Sequence, residues 1–131
     1  MKFVDTGAWY AASVPSDPNH EKVRAHIDDV ETHLVTSDYV LGETLTLLRT
    51  RNEYQRAVLL GKDLLAHISA ELVYLTPDEI AQTFIVFSTY RDKEWSFVDC
   101  SSLIVMRRMK ITEAVSLDHH FRQMPGITVY P

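Results

Sequence analysis

Short apolar runs alternate along the chain with longer stretches whose apolar residues recur every three or four positions. The first kind reads as buried strands and the second as helices packed by one face. Met1-Lys2-Phe3-Val4 opens as a strand and stops at Asp5-Thr6-Gly7, after which Ala8 to Ala12 reads as a helix. Ser13 to Asn19 carries Pro15 and Pro18 and reads as a loop. The next helix runs to about Glu31, with Val23, Ile27 and Val30 on one face. His33 to Thr36 is a second strand, and Ser37 or Asp38 caps the helix bearing Val40, Leu41, Leu45, Leu47 and Leu48. A further helix starts near Glu53, with Ala57, Gly61, Leu64, Leu65 and Ile68 as an apolar stripe.

Glu71 to Leu75 reads as a third strand. Thr76-Pro77-Asp78-Glu79 then supplies an N-cap, a first-turn proline and acids for a helix carrying Ile80, Phe84, Phe87 and Tyr90. A polar loop, Arg91 to Glu94, leads to a helix from Ser96 to Arg108. Ala114 to Leu117 is a fourth strand, Asp118 to Phe121 starts a short helix, and Gly126 to Tyr130 is a fifth strand. Alternating strands and helices predict an α/β fold: a three-layer α/β/α sandwich around a central parallel sheet of four to five short strands. No repeat or linker divides residues 1–131, so one domain is expected.

Composition narrows the class. Apolar residues at 46% exclude a disordered chain. A single cysteine, Cys100, excludes an internal disulfide and fits a reducing cytoplasm. No basic segment followed by a long apolar run begins the chain, and no run reaches the ~20 residues of a spanning helix, so neither a signal peptide nor membrane insertion is expected. The net charge of -5 argues against binding nucleic acid by overall charge. It leaves open a nuclease that gathers acids around cations and keeps its basic residues local. Arg107, Arg108 and Lys110 form one local basic group, read as a solvated helix end favoured by the helix dipole.

The candidate chemistry lies in four acids. Asp5 and Asp118 each end an apolar strand and begin a helical stretch, and in a parallel sheet such ends lie along one edge. Asp99 and Glu43 fall in the first turns of helices that can reach the same edge. Each acid has an ordinary alternative: a turn residue for Asp5, an N-cap for Asp118, a capping box with Ser96 for Asp99, a solvated position for Glu43. Taken together, four acids at one edge need a common reason. Two carboxylates ~5 Å apart at an effective dielectric of ~20 repel by about 3 kcal/mol, which a proton or a cation must relieve. A hard divalent cation, Mg²⁺ or Mn²⁺, suits such oxygen ligands, and would polarise a phosphoryl oxygen and activate water.

Several neighbours are candidates for supporting roles. Thr6, Ser101 and Ser102 are hydroxyls beside the acids. His119 and His120 follow Asp118 but point about 100° apart on a helix, so one at most is expected near a substrate phosphate. Trp95, in a charged loop, is the candidate for an RNA contact, whereas Trp9 reads as core. Arg49 and Arg51 are candidates for backbone phosphate, with solvation as the default. Cys100 reads as a packed residue whose thiol is made less acidic by Asp99.

Phe3-Val4-Asp5-Thr6, Val40-Leu41-Gly42-Glu43, Ser96-Phe97-Val98-Asp99-Cys100 and Ser116-Leu117-Asp118-His119-His120-Phe121 resemble, in order, the acidic motifs of PIN-domain nucleases. The size and the Phe121…Gly126-Ile127 stretch look most like VapC-type toxins of toxin–antitoxin pairs. The resemblance implies a PIN-like fold and a Mg²⁺- or Mn²⁺-dependent endoribonuclease, commonly a homodimer, held inactive by a cognate antitoxin. Its quartet falls on Asp5, Glu43, Asp99 and Asp118, as metal ligands and catalytic groups; Leu117 departs from the usual small residue before the fourth acid. Alternatives are a PIN ribonuclease for RNA maturation and a non-catalytic RNA-binding scaffold. A phosphoacceptor receiver domain fits less well, because Asp5 is single at its strand end and no lysine follows Lys110.

Overall fold

The structure, a computed structural model, describes all residues from Met1 to Pro131. Five strands, β1 (Lys2–Val4), β2 (Leu34–Ser37), β3 (Glu71–Val73), β4 (Glu113–Val115) and β5 (Thr128–Tyr130), form one sheet in the order β3-β2-β1-β4-β5. Every pairing is parallel, with Phe3 opposite Val35 on one side and Ala114 on the other. Six helices flank it: α1 (Thr6–Ser13), α2 (His20–Ile27), α3 (Asp38–Thr50), α4 (Tyr54–Leu65), α5 (Pro77–Thr89) and α6 (Phe97–Met109). The expected α/β/α sandwich with a parallel sheet is the fold observed.

The strand order matters for function. From β1 the chain builds outward through β2 to β3, then returns to lay β4 on the other side of β1. The order therefore reverses between β1 and β4, and the right-handed rule sends the crossovers to opposite faces on either side of that point. A crevice opens there at the C-terminal ends of the strands, where open α/β sheets hold their ligands.

The core is built on Phe3, Val4, Trp9, Val35, Leu64, Val105 and Phe121. Trp9 ties α1 to the sheet: its indole N–H donates to Thr36 Oγ1 at 3.1 Å, and that hydroxyl donates to the Val4 carbonyl at 2.9 Å. Ser37 is the N-cap of α3, its Oγ accepting from the Val40 N–H. Thr76 and Glu79 form a capping box at the start of α5, and Ser96 and Asp99 another at the start of α6.

Several expected faces lie elsewhere. The helix expected to reach Glu31 ends at Ile27, and Val30 is 97% exposed in the turn beyond it. The stripe on α4 is core only at Ala57, Gly61 and Leu64; Leu65 points outward and Ile68 lies past the helix end, exposed. On α5 the buried residues are Glu79, Thr83 and Val86, while Phe84, Ile85 and Phe87 face outward. Arg108 is not freely solvated: it pairs with the buried Glu79 carboxylate at 2.5 Å. The stretch expected to form a short helix from Asp118 is a 3-10 turn, His119–Gln123.

The adjacent pair Leu64 and Leu65 tests this correction. Leu64→Ala opens a void in a fully buried position and should cost about 2–5 kcal/mol, whereas Leu65→Ala should stay within about 0.5 kcal/mol. Urea denaturation of the two variants reads the difference directly.

Candidate metal and active site

The pocket forms from strand ends and helix starts. Asp5 directly follows β1 at the N-cap position of α1, without a side-chain capping bond; Asp118 follows β4 by three residues and caps the 3-10 turn; Asp99 sits in the first turn of α6; Glu43 lies in the second turn of α3. All four line one cavity of about 460 Å³, at the crevice between β1 and β4. Ligand oxygens of Asp5, Asp99 and Asp118 lie within 4.8 Å of one another, close enough for one ion. Glu43 stands at the exposed rim and is not part of that trio.

Asp99 and Asp118 each make a structural contact as well. Asp99 Oδ2 accepts from the Ser96 N–H at 2.9 Å, closing the capping box. Asp118 Oδ1 accepts from the His120 N–H at 2.9 Å. Asp5 and Asp99 are almost dry, and Asp118 is half-buried.

Ser116 binds the strand ends together. Its Oγ donates to Asp5 Oδ2 at 3.1 Å and accepts the Asp118 N–H at 3.1 Å, in a buried position. Sequence reasoning passed over it, although its place two residues before a strand-end acid carried a signal: alternate residues of an extended segment share a side. Glu94, also missed, lines the pocket from a left-handed backbone conformation, φ 58°. Nothing in its sequence context distinguished it from the other charged loop residues.

The supporting candidates sort clearly. Thr6 lines the pocket, and its Oγ1 is buried with no hydrogen-bond partner. Ser101 and Ser102 are buried, but both hydroxyls donate to the Val98 carbonyl and neither lines the pocket. Of the histidine pair, His119 is exposed, while His120 lines the pocket with Nδ1 3.4 Å from Asp99 and 3.3 Å from Asp118. Trp95 is not an exposed loop contact: it is 5% exposed, donates to Gln123 Oε1 and packs against Tyr90. Arg49 lies over the Tyr54 ring and Arg51 over Tyr10, away from the pocket wall. Cys100 is fully buried, and burial followed by the Asp99 charge pushes its thiol up to about 11.

Electrostatics follows from burial. Desolvation raises the Asp5 carboxyl to about 7, with the charges of Asp99 and Glu43 adding to it and hydrogen bonds from Thr6 and Ser116 opposing it. Burial also holds Asp99 above the usual carboxylate range, helped by Asp118 and opposed by Ser96 and His120. An oxygen-rich set of carboxylates that resists ionising on its own, beside an unpartnered buried hydroxyl, fits a hard divalent cation.

Fold and pocket together define a class: a parallel α/β domain with a cation-competent acidic pocket at the point where its strand order reverses. The family model for the PIN domain matches residues 2–127, and the chain belongs to that family. It is 31% identical over 131 residues, all of this chain and 99% of the other, to the 23S rRNA-specific endonuclease VapC20 of Mycobacterium tuberculosis. The crystal structure of VapC20, described as a sarcin–ricin-loop-cleaving toxin, superposes with a TM-score of 0.91 at 30% identity, covering both chains fully. The ribonuclease VapC26 of the same organism is 28% identical over 125 residues, 95% of this chain and 92% of that one. A toxin–antitoxin complex from Klebsiella pneumoniae shares the fold, with a TM-score of 0.68 at 12% identity over 98% of this chain and 96% of that one.

The raised Asp5 carboxyl has a measurable consequence. Unfolded, it ionises near 3.8; folded, near 7. Between those values the folded protein holds a proton that the unfolded chain has lost, so this contribution is full below about pH 3.8 and is lost as pH rises through about 7. Without metal, the protein should lose roughly 4 kcal/mol of stability from this group across that window. Calorimetry should show a melting temperature that falls from pH 5 to 8, a shallower fall in Asp5→Asn, and recovery at pH 8 on adding Mg²⁺.

Proposed function

We propose that this chain is a metal-dependent endoribonuclease of the toxin type, with residues 1–131 acting as one nuclease domain. The observation that carries the reading is the meeting of Asp5, Asp99 and Asp118 at the crevice between β1 and β4, in a pocket also lined by Thr6, whose buried hydroxyl has no partner. The likeness to VapC20 across the full chain supports RNA as the substrate, and that relative's specificity makes 23S rRNA the first target to test. A cognate antitoxin as partner, and a homodimer as the working unit, extend the same likeness. An RNA substrate and an unpaired, buried Cys100 fit the cytoplasm. No helix is long and apolar enough to cross a membrane.

Asp5, Asp99 and Asp118 would hold Mg²⁺ or Mn²⁺. A bound divalent cation supplies charge neutralisation and polarises a phosphoryl oxygen. Glu43, at the open rim of the pocket, would orient a water for attack on phosphorus and take its proton. Ser116 fixes Asp5 relative to the Asp118 backbone, and Thr6, whose buried hydroxyl has no partner, would offer it to the cation's outer shell. Partly desolvated walls strengthen each of these interactions over their value in water.

Mapping of new RNA 5′ ends after induced expression tests the reading. The unmodified protein should create discrete new ends, examined first in 23S rRNA. Asp118→Asn should reduce them by more than about 100-fold, beyond the ~10–100-fold that loss of an outer-sphere partner costs. Soluble protein with no new ends would sink the nuclease reading in favour of a scaffold.

A further inference from the structure

Next to the acidic pocket lies a second cleft, of about 410 Å³, lined by Phe84, Phe87 and Ser88 of α5 and by Tyr90, Arg91 and Trp95 beyond it. Glu94 lines both cavities, so the second opens beside the first. Phe84, Phe87 and Tyr90 are 60%, 44% and 38% exposed, an unusual concentration of aromatic surface around one opening. Phe84, Phe87 and Ser88 fall at spacings of three and four on α5, which puts them on one side of the helix, and Arg91 follows just past its end.

Two of these rings are held in place from behind. Phe87 meets Phe97 edge-on, with centroids 5.9 Å apart and planes at 64°. Phe97 is the first residue of α6, two positions before Asp99, so the ring is tied to the helix that carries a pocket acid. Tyr90 leans on the buried Trp95 at 5.1 Å. Rings fixed on one side and open on the other are ordered before any ligand arrives, which lowers the entropic cost of stacking on them.

We propose that this cleft is a stacking subsite for unpaired RNA bases flanking the bond that enters the carboxylate pocket, with Arg91 supplying the cation for the adjoining backbone phosphate. The reading rests on the proposed nuclease activity. Aromatic rings interleaved with a cation are the usual platform for single-stranded nucleic acid, because every base offers a π-face whatever its sequence. The acidic pocket repels phosphate on its own, so bases need an attractive surface near it that does not depend on net charge. The cleft volume lies within the roughly 300–1,000 Å³ of sites that enclose small ligands.

Fluorescence anisotropy with a labelled single-stranded RNA decamer tests this, in an Asp118→Asn background so that the RNA survives. Phe87→Leu keeps an apolar side chain but removes the ring, and should raise Kd about ten-fold. Decamers with one abasic position should bind the background protein about ten-fold less tightly at the sensitive position, and Phe87→Leu should add little to that loss. Kd values within two-fold for Phe87→Leu, Tyr90→Leu and Arg91→Gln alike would overturn the proposal. A smaller sedimenting species in Phe87→Leu, with loss of binding explained by dissociation, would also overturn it and assign the face to a second copy. Cleavage by the otherwise unmodified protein separates the two readings. If RNA is cut and Phe87→Leu leaves kcat/KM unchanged, only the subsite fails; if RNA is never cut, the nuclease reading fails with it.

Discussion

Holding a nearly dry carboxylate at the end of the central strand is the constraint on which the rest of this structure depends. Asp5 loses most of its solvation because β1 lies between β2 and β4 with core on both faces. Its compensation is local: the Thr6 backbone N–H and the Ser116 hydroxyl. These do not balance the burial, and the carboxyl is left poised near neutrality. A group so placed gains from a cation far more than a surface aspartate would, because attraction in a partly desolvated site is less screened. Strand order, crevice and pocket all serve to bring further carboxylates to this one.

Capping and chemistry need not be alternatives for an acid. The Ser96–Asp99 box and the Asp118 turn are both present as capping arrangements, and both acids also line the pocket. One oxygen of each is engaged by a backbone N–H. That bond fixes the rotamer and leaves the rest of the carboxylate directed by the helix or turn it caps. Positioning by a cap is cheap, because an N-terminal backbone donor needs a partner in any case. The cap thus orients a group that lines the pocket.

Much of this was legible in the chain, and the reasons differ by element. Strands buried on both faces announce themselves as short apolar runs, so Lys2–Val4, Leu34–Ser37 and Glu113–Val115 fell close to their expected places. The parallel sheet then fixed which ends share an edge, and the meeting of Asp5 with Asp118 followed. Ser116 was passed over because a serine at a strand end has many ordinary uses; its place two residues before Asp118 was the one signal, and the fold shows it between two acids. Trp95 was misread because charged sequence neighbours do not keep a large ring in solvent. It folds back on Tyr90 and Gln123, and burial of so large an apolar surface outweighs the loop's polarity. Val30 and Ile68 show the converse: helical periodicity continued past the true ends of α2 and α4, and the residues beyond them stayed exposed.

The exposed rings of α5 have a steric cause in α6. Every residue of α6 from Asp99 to Met106 is buried, so this helix is enclosed rather than amphipathic. The stretch includes Cys100, Ser101 and Ser102, all small, and the two serine hydroxyls are satisfied by the Val98 carbonyl of their own helix. On α5 the matching buried position is Thr83, whose hydroxyl likewise donates within its helix, to the Glu79 carbonyl at 2.7 Å. Small side chains whose hydroxyls are satisfied within their own helices permit close packing of α5 on α6. A phenylalanine at Thr83 would force the helices apart, so at this position the small side chain is the one that fits inside. Phe84, Ile85 and Phe87 are left on the outer face as a consequence, beside the loop that carries Glu94 to the pocket. The close packing that encloses the helix of Asp99 is thus also what places aromatic surface next to it.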